Sequence, residues 1–239
     1  MKKNPVEILE DVFLKTLNNQ DQYNKFRAFL IIRKHIFWIL TRTHETVAAQ
    51  LRLKWLYDSI KNKNLNNIDF SNDEKKYVEL LISSDKNIEN ILLFIEYNEV
   101  TVSRREMFSL WEEFIVPISI PLIPLFSAIF EEELYDINLI RKYVTNTFLS
   151  YRPLFISTNW KFSSNNEVWK SQLDEVFAKL NLENINHNKV TSQNIKFFSN
   201  INNILYKKYL SNKSMKLNDN LEFNPGILKL RFLFSYLFS

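Results

Sequence analysis

The chain has 239 residues, a formal net charge of +4 at pH 7, 46% hydrophobic residues, no cysteine and a single glycine, Gly226. An average chain carries roughly 7% glycine, and tight hairpins, phosphate-cradling loops and dinucleotide turns all lean on it, so this composition excludes P-loop and Rossmann nucleotide binders. The missing cysteines exclude disulfides, thiolate zinc sites and cysteine nucleophiles, and the mild positive charge permits attraction to anionic lipid or nucleic acid without arguing for either.

What remains is a chain of long helices with short polar joints. The N-terminus, MKKNPVEILEDVF, lacks a continuous apolar signal core. The expected location is therefore cytoplasmic, with a position peripheral to the inner face of a membrane as an extension of it. Pro5 begins a first helix to about Leu17, and Asn18–Asn19 break it. A second helix is expected from Gln22 to Thr43 and a third from Thr46 to Lys61, closed by the Asn-rich joint 62–67. Ser71–Asn72–Asp73–Glu74 caps a fourth, its carboxylates suiting a helix N-terminus. Ser84 or Asp85 caps a fifth, with Ile88, Ile91, Leu92 and Ile95 at core spacing. Thr101 or Ser103 opens a sixth.

Phe114–Phe130 is uncharged for 17 residues, the short limit for crossing a bilayer. Pro117, Pro121 and Pro124 would each remove a backbone hydrogen bond, at roughly 3 kcal/mol in a helix interior. A buried, kinked core helix is the expectation. Later helices are expected over Leu134–Leu149, Glu167–Leu180, Lys189–Leu210 and Ile227–Phe238. The last of these docks on the bundle or lies in a membrane interface. Lys196–Tyr209 interleaves basic and aromatic residues, as single-strand binders do, but Phe197, Ile201, Ile204 and Leu205 have the spacing of a core-facing helix. No nucleic-acid module signature occurs, and no nucleic-acid partner is expected.

His35 and His44 lie nine residues apart, which at 3.6 residues per turn puts them on opposite faces of one helix, so they cannot share a metal. Glu96 with Glu99, and Glu132 with Asp136, are helix-spaced carboxylate pairs that could hold a cation or simply form solvated faces. Asp58 follows Lys54 by one helical turn, a surface pair worth about 0.3–0.5 kcal/mol. Arg52 and Trp55 read as residues that hold the third helix against its neighbours, an Arg stacking on an aromatic ring.

The first three helices resemble the squalene/phytoene synthase family. They are closer to its bacterial and mitochondrial side branch, which includes a respiratory complex I assembly factor. That branch carries a segment near R-L-Q-W-W-R-D-A after an early helix. Here Leu51–Ile60, LRLKWLYDSI, stands in that place; Arg52, Leu53, Trp55 and Asp58 match, and Leu56 replaces the second Trp. Upstream, Ala28–Phe29 and Arg33–Ile36 occupy the place of an Ala-Phe-Asn-x-Glu-Ile segment. The resemblance extends to about Leu154; residues 155–239 match only in being helical.

The resemblance implies an all-α, isoprenoid-synthase-like bundle of about ten helices, with residues 1–239 in one domain. Enzymes of this family condense prenyl diphosphates, using two Asp-rich motifs on facing helices to hold Mg²⁺. Magnesium wants several oxygen ligands in octahedral array, and a diphosphate leaving group needs its charge neutralised. A helix supplies such ligands as carboxylates three or four residues apart.

Those acids are missing. The first motif should fall near Ile32–Ile36, where Arg33, Lys34 and His35 stand. The second should fall on the helix around 136–149 or just after it, yet Ile137 to Asn166 contains neither Asp nor Glu. Asn146 could ligate only weakly. Arg33–Lys34 reads as a solvated helix face, or as a contact to a diphosphate or lipid headgroup without metal.

The expectation is therefore a non-catalytic member of this superfamily without cofactor. It would act as an assembly helper for a membrane complex subunit, or bind an isoprenoid or other apolar lipid. The alternatives are a divergent, Mg²⁺-dependent prenyl transferase and an unrelated helical interaction protein. The candidate ligand-facing residues are Arg33, Lys34, Arg52, Trp55, Asp58, Glu96 and Asn146. No catalytic or metal residue is assigned.

Overall fold

The computed structural model describes residues 4–103, 111–132, 137–157, 197–202, 204–205, 225–227, 229–230 and 233. Among them every regular element is helical: α1 (Pro5–Leu14), α2 (Gln20–Arg42), α3 (Thr46–Lys61), α4 (Asn72–Leu81), α5 (Asp85–Ser103), α6 (Trp111–Ser119), α7 (Leu122–Phe130) and α8 (Ile137–Ser157). Residues 197–202 and 204–205 are helical as well. The all-α expectation holds. The expected helix over Glu167–Leu180 lies outside the described residues, as does most of each of those over Lys189–Leu210 and Ile227–Phe238.

Local chemistry sets most boundaries. Asn4 forms a capping box: its side chain accepts from the Val6 N–H at 2.9 Å, and Glu7 accepts from the Asn4 N–H at 3.1 Å. Asn19 caps α2 by accepting from Asp21 and Gln22 N–H, so this helix starts two residues before the expected Gln22. Ser71 and Glu74 make a second capping box at α4. Each cap satisfies backbone donors that the first helical turn leaves without partners.

Two helices end in a left-handed residue that is not glycine. At the end of α3, Lys63 has φ 53°; the Asn64 N–H bonds to the Ser59 carbonyl at 2.8 Å and the Lys63 N–H to that of Ile60 at 3.0 Å. This is the paired bonding of a Schellman end, where glycine is the usual occupant. Glu131, with φ 57°, follows α7 in the same left-handed conformation, and its N–H and that of Glu132 both bond to the Ser127 carbonyl.

Two expectations change. Thr101 and Ser103 do not open a sixth helix, because α5 runs through both. The Thr101 hydroxyl donates back to the Tyr97 carbonyl at 2.6 Å, the mid-helix use of a threonine. Phe114–Phe130 is not one kinked helix. Ile120–Pro121 divides it into α6 and α7. Pro121 precedes α7 and Pro124 lies in its first turn, where N–H groups have no helical partner, so only Pro117 interrupts a helix interior.

In the packing, α3 lies along α5 and α2 along α4, while α2 and α6 both meet α8. The buried apolar side chains form one contiguous cluster. Its centre is aromatic. Phe13 stacks on Phe197 at 3.7 Å between centroids and meets Phe26 edge-on at 5.5 Å. Phe126 contacts Phe29 at 4.9 Å, Phe198 at 5.1 Å and Tyr143 at 6.0 Å. Phe197, Ile201 and Leu205 are buried and Ile204 packs against the cluster, as their helical spacing predicts. Core packing accounts for the apolar side of the segment.

Candidate functional site

Arg33 is where the structure departs most from the sequence reading. It is neither on a solvated face nor open to a ligand: it is buried at 3% exposure, because three helices close on it. Its guanidinium grips the Glu10 carboxylate with both terminal nitrogens, Nη2 to Oε2 at 2.6 Å and Nη1 to Oε1. Nη1 also donates to the Tyr143 hydroxyl at 2.5 Å, and that hydroxyl donates to Glu10 Oε1. Burial pushes the Glu10 carboxyl above its ordinary range, against the opposing pull of Arg33 and of the bonds from Arg33 and Tyr143. The group ties α1, α2 and α8 together.

Glu10 and Tyr143 were not among the residues singled out from the sequence. A signal existed for Glu10. It shares a face of α1 with Val6, Leu9 and Phe13, all fully buried, and an acid on an apolar face demands a partner.

Lys34, the next residue, is exposed. The Arg33–Lys34 pair therefore splits between core and solvent, the two side chains leaving the helix about 100° apart. Asn146 is fully buried, donating from Nδ2 to Asn202 Oδ1 at 2.7 Å, while Asn202 donates to the Leu139 carbonyl at 3.1 Å. Its amide joins α8 to the helical residues 197–202. Glu96 is exposed on α5. It lies near Tyr57, whose hydroxyl is held above its ordinary range by burial first and by Glu96 second. His44 falls outside α2, in the turn before α3, so the two histidines do not share a helix as assumed. His35 stays within α2, its ring 5.1 Å from Phe70 and 6.0 Å from Trp38.

The residues of the LRLKWLYDSI segment do gather. Leu53, Leu56 and Ile60 face the core. The opposite side of α3 carries Val47, Leu51 and Trp55 at one-turn spacing, exposed at 67%, 51% and 63%. Arg52 leans toward α2, donating to the Thr43 hydroxyl at 3.0 Å with its guanidinium 5.7 Å from the Trp38 ring. The expected Arg–aromatic contact thus uses Trp38. Trp55 does not hold α3 to a neighbour; it stands in solvent, because the turn of helix that carries it points away from α5 and α2.

Beside Trp55 opens a pocket of about 410 Å³, lined by Trp55, Asp58, Ser59, Asn62, Asn64 and Asn67. The Schellman end at Lys63 turns the chain back so that the 62–67 joint forms the far wall. Asp58 is bound by Lys54 Nζ at 2.9 Å, leaving the pocket close to neutral. Trp55 and Asp58 were expected from the resemblance. In the sequence the three asparagines mark only a joint, since their convergence depends on the left-handed turn at Lys63.

Among the described residues no three His, Asp or Glu side chains gather as a metal site would require, and no helix is long and apolar enough to cross a membrane. Compared with models of protein families, with curated proteins and with solved structures, the chain matches none.

Proposed function

We propose that this chain is a non-catalytic helical binding protein whose working surface is the outer side of α3. The observation that carries the reading is Trp55, 63% exposed at the mouth of a pocket and in line with exposed Val47 and Leu51. Tryptophan is highly buried on average, and an exposed one beside a pocket has the form of an interface anchor. Arg33, at the position where an acidic magnesium motif would be needed, is instead engaged by Glu10 and Tyr143. Interlocked rings of α1, α2, α7 and residues 197–198 occupy the space between those elements, which favours surface binding over an apolar lipid tunnel.

On this reading, the likeness to squalene/phytoene synthases is a likeness of helical frame, and the helper role is exerted on a partner of a membrane complex. Affinity capture from the source cells, compared between wild type and the Trp55→Ala and Leu51→Asp variants, tests it. A partner recovered by the wild type should be lost with both variants at unchanged melting temperature; an unchanged set of partners rejects the reading. Calorimetry with isoprenoid diphosphate is the second arm, and magnesium-dependent binding there would restore the transferase alternative.

A further inference from the structure

We infer that the pocket beside Trp55 binds a pyranose sugar, free or as the headgroup of a glycolipid. The inference rests on the reading of the α3 face as the working surface and names the chemistry that its pocket selects. A pyranose has a weakly apolar C–H face and a rim of hydroxyls, each both donor and acceptor. The indole of Trp55 supplies a flat apolar wall for the first. Asn62, Asn64 and Asn67 supply amides that donate and accept, and Ser59 a hydroxyl that does both.

The polar groups are available. Among the described residues the side chains of Asn62 and Asn67 make no hydrogen bond, and Asn64 uses only its oxygen, accepting from the Asn66 N–H at 3.2 Å. The pocket's one carboxylate, Asp58, is neutralised by Lys54 at 2.9 Å. A cationic ligand would need acceptors and net negative charge. An anionic one would need free cations. Neutral amides around an indole fit neither as well as they fit a polyol. The volume of about 410 Å³ lies within the roughly 300–1,000 Å³ of small-ligand sites.

The test is a titration of the ¹⁵N-labelled full chain with glucose, galactose, mannose and N-acetylglucosamine, following the Trp55 indole N–H signal. That signal is assigned by its loss in Trp55→Phe. The expected result is a saturable shift of this signal with at least one sugar, weakened at least ten-fold in Asn62→Ala/Asn67→Ala. Both asparagines are exposed, so the fold should tolerate their loss. Tetramethylammonium is the control ligand. No shift with any sugar, a shift with tetramethylammonium alone, or a shift unchanged in the asparagine variant each overturns the proposal. Phosphatidylcholine vesicles carrying a galactolipid, compared with free galactose, separate headgroup from free sugar. Failure of every sugar while Trp55→Ala still abolishes partner capture would remove this inference and leave the binding-protein reading in place.

Discussion

Arg33 and Glu10 both give up hydration on entering the core, at several kcal/mol per ion, and each is kept there by the other. Replacing Arg33 by Met should destabilise the fold by about 3–5 kcal/mol, because Glu10 is left as an uncompensated buried acid. The triple variant Glu10→Leu/Arg33→Met/Tyr143→Phe should recover most of that loss. Urea unfolding of the wild type, Arg33→Met and the triple variant decides it, and a triple variant no more stable than Arg33→Met would show that the three side chains do not act as a unit.

At Lys63 and Glu131 the left-handed backbone costs a non-glycine residue roughly 1–2 kcal/mol. After glycine's own entropic penalty of about 0.5–1 kcal/mol, Lys63→Gly and Glu131→Gly should each raise stability by a few tenths to about 1 kcal/mol. A valine at either position should lower it. His35 predicts a pH dependence. Burial holds its pKa below the ordinary value near 6.5, opposed by Asp69 and Glu74. Between the depressed folded value and 6.5 the unfolded chain binds more protons, so stability is full above 6.5 and falls as pH drops through that window. Melting temperatures from pH 7.5 down to 5 should show a smaller acid-side loss in His35→Gln than in the wild type.

At the scale of elements, the caps were legible because everything they need lies within four residues. Ser71 and Glu74 meet across one turn, and Ser71→Ala should cost about 1 kcal/mol. Ser103→Ala, at a position expected to cap but observed to end α5, should stay within about 0.5 kcal/mol, as surface substitutions do. Thermal denaturation of the two variants separates the cases. The misreading at Thr101 has the same local origin. A hydroxyl can serve a cap or bond to the carbonyl one turn back, and the neighbouring residues do not say which. By sequence alone the prolines of 114–130 are equal interruptions. Their effect depends on where the first turn of α7 begins, and that is set by how α6 and α7 each pack.

At the scale of the whole molecule, the described core is one apolar cluster with an aromatic centre, and the exposed α3 face stands outside it. Phe126, in contact with rings from α2, α7, α8 and residue 198, should cost about 3–5 kcal/mol on truncation to alanine. Trp55→Ala should leave stability within about 0.5 kcal/mol while altering binding. Equal losses from the two would place Trp55 in the core after all. The sequence by itself determined the helical class, the positions of α1 to α5 to within a few residues, and the inward-facing residues of α5 and of the segment holding Phe197, Ile201 and Leu205. These depend on helical period and short-range capping. Only the tertiary structure decided that Arg33 is a core ion, that Asn146 faces Asn202, and that Trp55 shares a pocket with the 62–67 joint. Arg33 finds its partners 23 and 110 residues away. No local pattern specifies which of many helix faces will meet across such distances, because that choice is made by the packing of all the helices at once.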